Sequence, residues 1–199
     1  DKSRAMKMPF NNMSLLDYAI NTSLVISNVA IQKHDKAGLI TFSNEIDTIH
    51  PAECSKQQLT KIFNSLYNEQ EHHLEANYEL LYNAIRHVIP ARSLLFLFTN
   101  FESAYSLERI LPILRKISKR HLLVVMFFEN TELSEFAKEE TSNLIEIYQN
   151  TAANMLLNEK DLMIEELKRY GIHAIKSLPG ELSINTVNKY LEMKSRGMI

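Results

Sequence analysis

The sequence predicts an α/β fold in which a mostly parallel sheet carries helices on both faces. Three observations predict it. Two runs, Ser93-Leu-Leu-Phe-Leu-Phe-Thr99 and His121-Leu-Leu-Val-Val-Met-Phe-Phe128, are continuously apolar rather than alternating, as strands buried on both faces are. Segments with helical spacing, each of about ten residues or more, alternate with the strands, the pattern of crossover connections. Glycine and proline are few, 4 and 5 in 199 residues, so long elements joined by tight connections are expected.

The elements follow in order. Residues 15–32 read as an amphipathic helix, with Leu15, Leu16, Ala19, Ile20, Leu24, Val25, Val29 and Ala30 at helical spacing. Residues 36–43 form a strand, and 45–50 a shorter strand at the sheet edge that Pro51 closes. Ser55 is placed to cap a helix over 56–67. A polar stretch precedes the next helix, 78–88, which Pro90 breaks before the 93–99 strand, taken as the central one. A helix over 107–118 carries Arg115, Lys116, Lys119 and Arg120 at its end, a solvated carboxyl terminus that suits basic residues. After the 121–128 strand come a short helix over 132–139 and a long one over 141–170 that Gly171 ends. A final strand, 172–177, and a closing helix over 184–193 with Ser183 as its cap complete the chain. The opening residues read as a loop leaving a strand, so the first central strand is expected upstream of residue 1.

Forty-five per cent hydrophobic residues suffice for one core, and residues 1–199 read as a single domain, a fragment of a longer chain. A net charge of −2 and a pI near 6.4 give no electrostatic case for nucleic acid. The single cysteine, Cys54, has no internal disulfide partner and reads as a partly buried thiol near a helix start. No apolar run approaches the roughly 18 residues of a membrane span, and no signal peptide is visible.

In open parallel sheets ligands collect beyond the carboxyl ends of the strands. Thr99 and Asn100 sit at that edge, and the polar opening Asp1-Lys-Ser-Arg4 is placed to face them. An Asp-x-Ser loop after the first strand, together with a polar residue ending a later buried strand, resembles the von Willebrand factor A domain. In that family such groups hold a divalent cation at the metal-ion-dependent adhesion site, and the cation completes its shell with a partner's carboxylate. The resemblance implies Asp1, Ser3 and Asn100 as ligands of Mg²⁺, which takes hard oxygen donors. The second serine of the family's Asp-x-Ser-x-Ser pattern is replaced by Ala5, and its later aspartate by Asn100. Glu75, Asn77 and Glu79 are the oxygen donors near the position of the middle-loop threonine.

Over the whole chain the resemblance is closer. Asp1-Lys-Ser-Arg-Ala-Met6, Leu16-Asp-Tyr-Ala-Ile-Asn21, Lys36-Ala-Gly-Leu-Ile-Thr-Phe-Ser43, Leu95-Phe-Leu-Phe-Thr-Asn-Phe-Glu102, the run from His121 to Leu133 and Asn188-Lys-Tyr-Leu-Glu-Met-Lys-Ser-Arg-Gly197 resemble the bacterial proteins grouped as domain of unknown function 58. That implies the three-layer, Rossmann-like von Willebrand factor A fold and a carboxyl-terminal position after a pair of membrane-spanning helices. It implies a cytoplasmic domain of a membrane-anchored protein that works with a MoxR-type AAA+ ATPase in assembling or activating other complexes. Partner contact is expected through Asp1, Ser3, Arg4, Glu75, Asn77 and Asn100.

Two further constellations invite a functional reading. His72 and His73 with Glu69, Glu71 and Glu75 suggest zinc, but adjacent side chains point apart, and a solvated acidic loop is expected instead. The remaining histidines are scattered and are expected to pack or bond locally. The 141–170 helix carries an apolar stripe through Leu162, Met163 and Leu167, read as packing on the sheet or as a docking face.

The sequence holds no glycine-rich phosphate loop, no Gly-x-Ser-x-Gly elbow and no His-Glu-x-x-His helix. A non-enzymatic interaction module is therefore the expected function. A phosphohydrolase using Asp1 and carboxylates of the 69–79 region, or a structural domain with a vestigial crevice, are the alternatives.

Overall fold

The computed structural model describes residues 1–70, 72–137 and 144–199. Its core is a three-stranded parallel sheet with β6 (Leu122–Phe128) between β5 (Leu94–Phe98) and β7 (His173–Ser177). Every residue of β6 is buried, and the alternation of its side chains divides the core in two. Leu123, Val125 and Phe127 pack on one face with Leu81 and Ile85 of α3 (Tyr78–Val88), Leu111 and Leu114 of α4 (Ala104–Ser118) and Met163 and Leu167 of α6 (Leu144–Arg169). Leu122, Val124, Met126 and Phe128 pack on the other, against Leu15 and Ala19 of α1 (Leu15–Gln32) and Leu182 and Met193 of α7 (Leu182–Ser195). Helices thus cover both faces, a mixed α/β architecture compatible with a Rossmann-like fold.

The β-structure is more divided than the apolar runs imply. β3 (Ala37–Phe42) and β4 (Ile46–Glu53) form a separate antiparallel pair, and parallel pairing is confined to β5, β6 and β7 among the described residues. β6, rather than β5, is the middle strand. Among the described residues β5 pairs only with β6, and its first three residues are correspondingly half-buried.

The strand expected to stop at Pro51 continues to Glu53. The register slips there: Leu39 pairs with His50 but Ala37 with Glu53, so the stretch around Pro51 bulges on an edge strand, where a missing N–H is tolerated. The bulge needs room opposite, and a Cβ on Gly38 would lie 2.8 Å from the His50 carbonyl oxygen. Buried Gln58 of α2 (Lys56–Tyr67) secures both strands by donating to the carbonyls of Ala37, at 3.0 Å, and Pro51, at 2.8 Å.

Helices α1, α2 and α3 have the expected bounds, because apolar periodicity and caps agree there. Ser14 forms a capping box with Asp17, and the Ser55 hydroxyl accepts from the Gln58 N–H. α4 begins a turn earlier than its periodicity, because Ser103 caps it and the first turn is polar outward. α7 begins at Leu182, after a 3₁₀ turn at Pro179–Glu181. Ser183 therefore lies inside the helix, 2.9 Å from the Thr22 hydroxyl, and is not its cap. Cys54 is exposed, not partly buried. α5 (Thr131–Phe136) is the short helix; its expected extension to 139, and the start of the long helix at 141–143, lie outside the described residues. Gly171, at φ 73°, ends α6 as expected. A small hairpin, β1 (Pro9–Phe10) with β2 (Met13–Ser14), turns through Asn11 and Asn12 at φ 48° and 62°, a conformation asparagine tolerates. No described helix is long and apolar enough to cross a membrane.

Candidate functional site

Thr99 and Asn100 follow β5 at its carboxyl end, and both are buried. Asp1 lies above them. Its Oδ1 accepts the Ser3 N–H at 2.8 Å, a local turn, and its Oδ2 accepts the Thr99 hydroxyl at 2.6 Å. The Tyr78 hydroxyl stands 2.6 Å from Thr99 Oγ1 and 3.4 Å from Asp1 Oδ2. Thr99 has one proton and gives it to the carboxylate, so the bond between the two hydroxyls runs from Tyr78 to Thr99. Burial holds the Tyr78 phenol well above its ordinary range, the bond to Thr99 opposing it, so Tyr78 is a protonated donor. Asp1 is thereby held by two donors, the Ser3 N–H and the Thr99 hydroxyl, and Tyr78 backs it through Thr99.

Ser3 is buried, lines the crevice, and offers a hydroxyl without a hydrogen-bond partner among the described residues. Ala5 contributes its carbonyl, which accepts from Asn100 Nδ2 at 3.3 Å. The other end of that amide is occupied as well: Asn100 Oδ1 accepts from Lys160 Nζ at 3.2 Å. Lys160 also donates to the Phe128 carbonyl at 2.8 Å. Burial, then the nearby Lys176 charge, push the Lys160 pKa down, against the pull of Glu129. Arg4 is exposed and lies 3.7 Å from Glu75 and 3.5 Å from Glu102. Asn77 is a helix cap: its Oδ1 accepts from the Leu80 N–H at 3.2 Å, starting α3. Asp1, Ser3, Arg4, Ala5, Glu75, Asn77, Tyr78 and Asn100 line a cavity of about 450 Å³ between the amino-terminal loop, the start of α3 and one face of α4.

The opening loop is fastened by a buried ion pair that the sequence does not advertise. Lys2 Nζ lies 2.6 Å from Glu69 and 3.2 Å from Asp47. Glu69 also accepts from Thr41 at 2.7 Å and Thr48 at 3.2 Å. Burial works against both charges, but the bonds to Glu69 and Asp47 outweigh it and raise the Lys2 pKa, and those from Lys2 and Thr41 lower that of Glu69. Backbone bonds join the same parts, from Lys2 N–H to the Phe42 carbonyl and from His72 N–H to the Lys2 carbonyl, both at 2.9 Å. Glu69 is thus an internal anchor rather than part of a solvated loop. The only sequence signal was a lone lysine within an otherwise crevice-like motif.

The zinc reading dissolves in the same way. His72 Nδ1 meets the Ser43 hydroxyl at 3.1 Å, Glu69 is held by Lys2, Glu75 by Arg4, and Glu71 lies outside the described residues. Among the described residues no three His, Cys, Asp or Glu side chains are grouped to hold a metal ion. Of the scattered histidines, His50 bonds Ser65 and His87 the Asn83 carbonyl, whereas buried His121 leaves Nδ1 without a partner among the described residues. The donor set implied for Mg²⁺ does not fit that ion: the Asn100 oxygen faces an ammonium, Ala5 has no side-chain oxygen, and Asp1 and Ser3 alone remain.

Residues 1–151 match the family described as Protein of unknown function DUF58, and the chain belongs to that family. No curated protein matches it.

Proposed function

We propose that this DUF58 member is a non-enzymatic protein-interaction module. Its contact point is the crevice floored by Asp1, Ser3 and Asn100 and rimmed by Arg4, Glu75 and Asn77. One observation carries the reading: Asp1 is held by the Ser3 N–H and by the Thr99 hydroxyl, which Tyr78 backs, beside a serine hydroxyl that makes no hydrogen bond among the described residues. Rigid, pre-oriented polar groups at a strand-end crevice suit recognition. They suit turnover poorly. Thr99 gives its proton to a carboxylate that already accepts other bonds, and the Ser3 hydroxyl makes no hydrogen bond to a base among the described residues.

The resemblance to the von Willebrand factor A domain supports the same reading and supplies its context. There, the equivalent crevice engages a partner protein. Longer members of the family carry membrane-spanning helices upstream of this domain, and members are often associated with MoxR-type AAA+ ATPases. We take such an ATPase as the partner, the cytoplasm as the compartment and assembly of other complexes as the role. The phosphohydrolase reading needs two carboxylates converging on one ion. Asp1 provides one, while Glu75 is exposed and turned to Arg4.

A pull-down of the full-length protein from its own cell extract, with Mg²⁺ and with chelator, tests the proposal. The wild type is expected to retain an AAA+ ATPase in both conditions, and Asp1→Asn to lose it while keeping its circular dichroism spectrum. Undiminished retention by Asp1→Asn would sink the crevice as contact point. Phosphoester hydrolysis that vanishes in the same variant would replace the proposal with the enzyme.

A further inference from the structure

We infer that the group this crevice receives is a basic side chain of a partner peptide, arginine or lysine, taken directly and without a bridging metal. The inference rests on the reading of the crevice as a contact site and names its ligand. The first ground is charge. Asp1, Glu75, Glu79 and Glu102 line the cavity, against the guanidinium groups of Arg4 and Arg109. Asp1 and Glu79 have no ion-pair partner among the described residues. Arg4 reaches Glu75 and Glu102 only at 3.7 and 3.5 Å, with all three side chains more than half exposed. Such pairs contribute about 0–1 kcal/mol, so both carboxylates can turn to another cation.

A second ground is independent of the acidic cluster. Ser3 is only 3% exposed, yet its hydroxyl has no partner among the described residues and opens on the crevice beside Asp1. The serine is buried while its hydroxyl reaches the cavity, so the oxygen is open to a donor from outside. Ammonium and guanidinium groups are donors only, and carry several N–H groups to share between Asp1 and Ser3. The walls suit the remainder of such a side chain: Phe101, Ile110 and Ile113 present apolar surface that the methylene stem can cover.

The competing cation fails on geometry. Beside Asp1 a divalent ion would find one carboxylate and one hydroxyl, because Asn100 Oδ1 is turned to Lys160, and among the described residues no three His, Cys, Asp or Glu side chains are grouped to hold a metal ion. Lys160 itself lines a separate small hollow on the far side of Asn100 and not this cavity. The crevice is therefore negative where a metal-charged crevice is positive, and it selects a partner of opposite charge.

Backbone amide NMR of the domain, titrated with three blocked tripeptides, tests this. The peptides are glycine-flanked arginine, lysine and aspartate, each with and without millimolar Mg²⁺. The arginine and lysine peptides are expected to shift the amides of Ser3, Glu79 and Phe101, indifferent to Mg²⁺. Asp1→Asn and Ser3→Ala should each weaken them by roughly tenfold, the scale of one charge-assisted hydrogen bond. Binding of the aspartate peptide only with Mg²⁺ would overturn the inference while leaving the crevice a contact site. Crevice amides unmoved by any peptide would also overturn it. The Asp1→Asn pull-down then decides separately whether the crevice contacts a partner at all.

Discussion

Two lysines flank the crevice and meet opposite surroundings. Lys2 reaches Glu69 and Asp47 and is secured by charge; Lys160 reaches Asn100 Oδ1 and the Phe128 carbonyl, both neutral. The difference shows in their protonation: the pKa of Lys2 is raised and that of Lys160 is lowered. It teaches that the same residue serves two ends. Lys2 is a clamp that ties the opening loop to β3, β4 and the end of α2. Lys160 carries its charge at a cost, and orients the Asn100 amide so that its N–H₂ faces Ala5.

The comparison breaks most visibly at Lys2. Lys2→Met leaves Glu69 charged, buried and facing only Thr41 and Thr48, and removing one member of a buried pair costs about 3–5 kcal/mol. Urea denaturation should show that loss, and Lys2→Met with Glu69→Gln should recover part of it. A Lys2→Met midpoint equal to the wild type would show the clamp to be idle.

Acid should release the same clamp by a smaller step. The Glu69 pKa is below its ordinary 4.5 in the folded chain, so the unfolded chain binds the proton first. The stability it contributes is complete above 4.5 and is lost as pH falls through the folded value. His121 acts earlier: burial, then the Arg120 charge, lower its pKa from 6.5, so acidification below 6.5 already favours the unfolded chain. Unfolding midpoints measured from pH 7 to 3 should therefore fall in two stages. His121→Leu should shrink the first, which His173 shares because burial lowers its pKa as well, and Lys2→Met should shrink the second.

The smallest effect is expected at Lys160. Lys160→Met leaves two neutral acceptors short of a donor but also removes a desolvated charge, so the net loss is about 1 kcal/mol. The alkaline limb sharpens the contrast. Lys160, with its pKa lowered, makes the fold more stable as pH rises from that value to the ordinary 10.5. Lys2, with its pKa raised, contributes fully below 10.5 and loses its contribution only above it. Lys160→Met should abolish the rise. A rise that persists in that variant would assign the alkaline behaviour elsewhere.

Local order was legible because it depends on neighbours in the chain. Helices 15–32, 56–67 and 78–88 are written in apolar spacing and in caps such as Ser55, and the strand from Leu122 to Phe128 in an unbroken apolar run. So was the gathering of Asp1, Ser3 and Asn100 at one edge, since parallel strands end where their loops begin. Where local signals conflicted, the reading failed: Pro51 marks an end in sequence but a bulge in the sheet, and Asn77 offers an oxygen that α3 consumes as its cap.

What the sequence by itself determined is the set of elements and the edge at which polar groups collect. Only the tertiary structure decided who meets whom there. Asp1 bonds Thr99 across 98 positions, Lys2 bonds Glu69 across 67, and Lys160 bonds Asn100 across 60. Nothing in the local pattern encodes those partners. They follow from the order of strands in the sheet and from burial, which leaves a charged or polar side chain stable only where a matching group has been brought beside it.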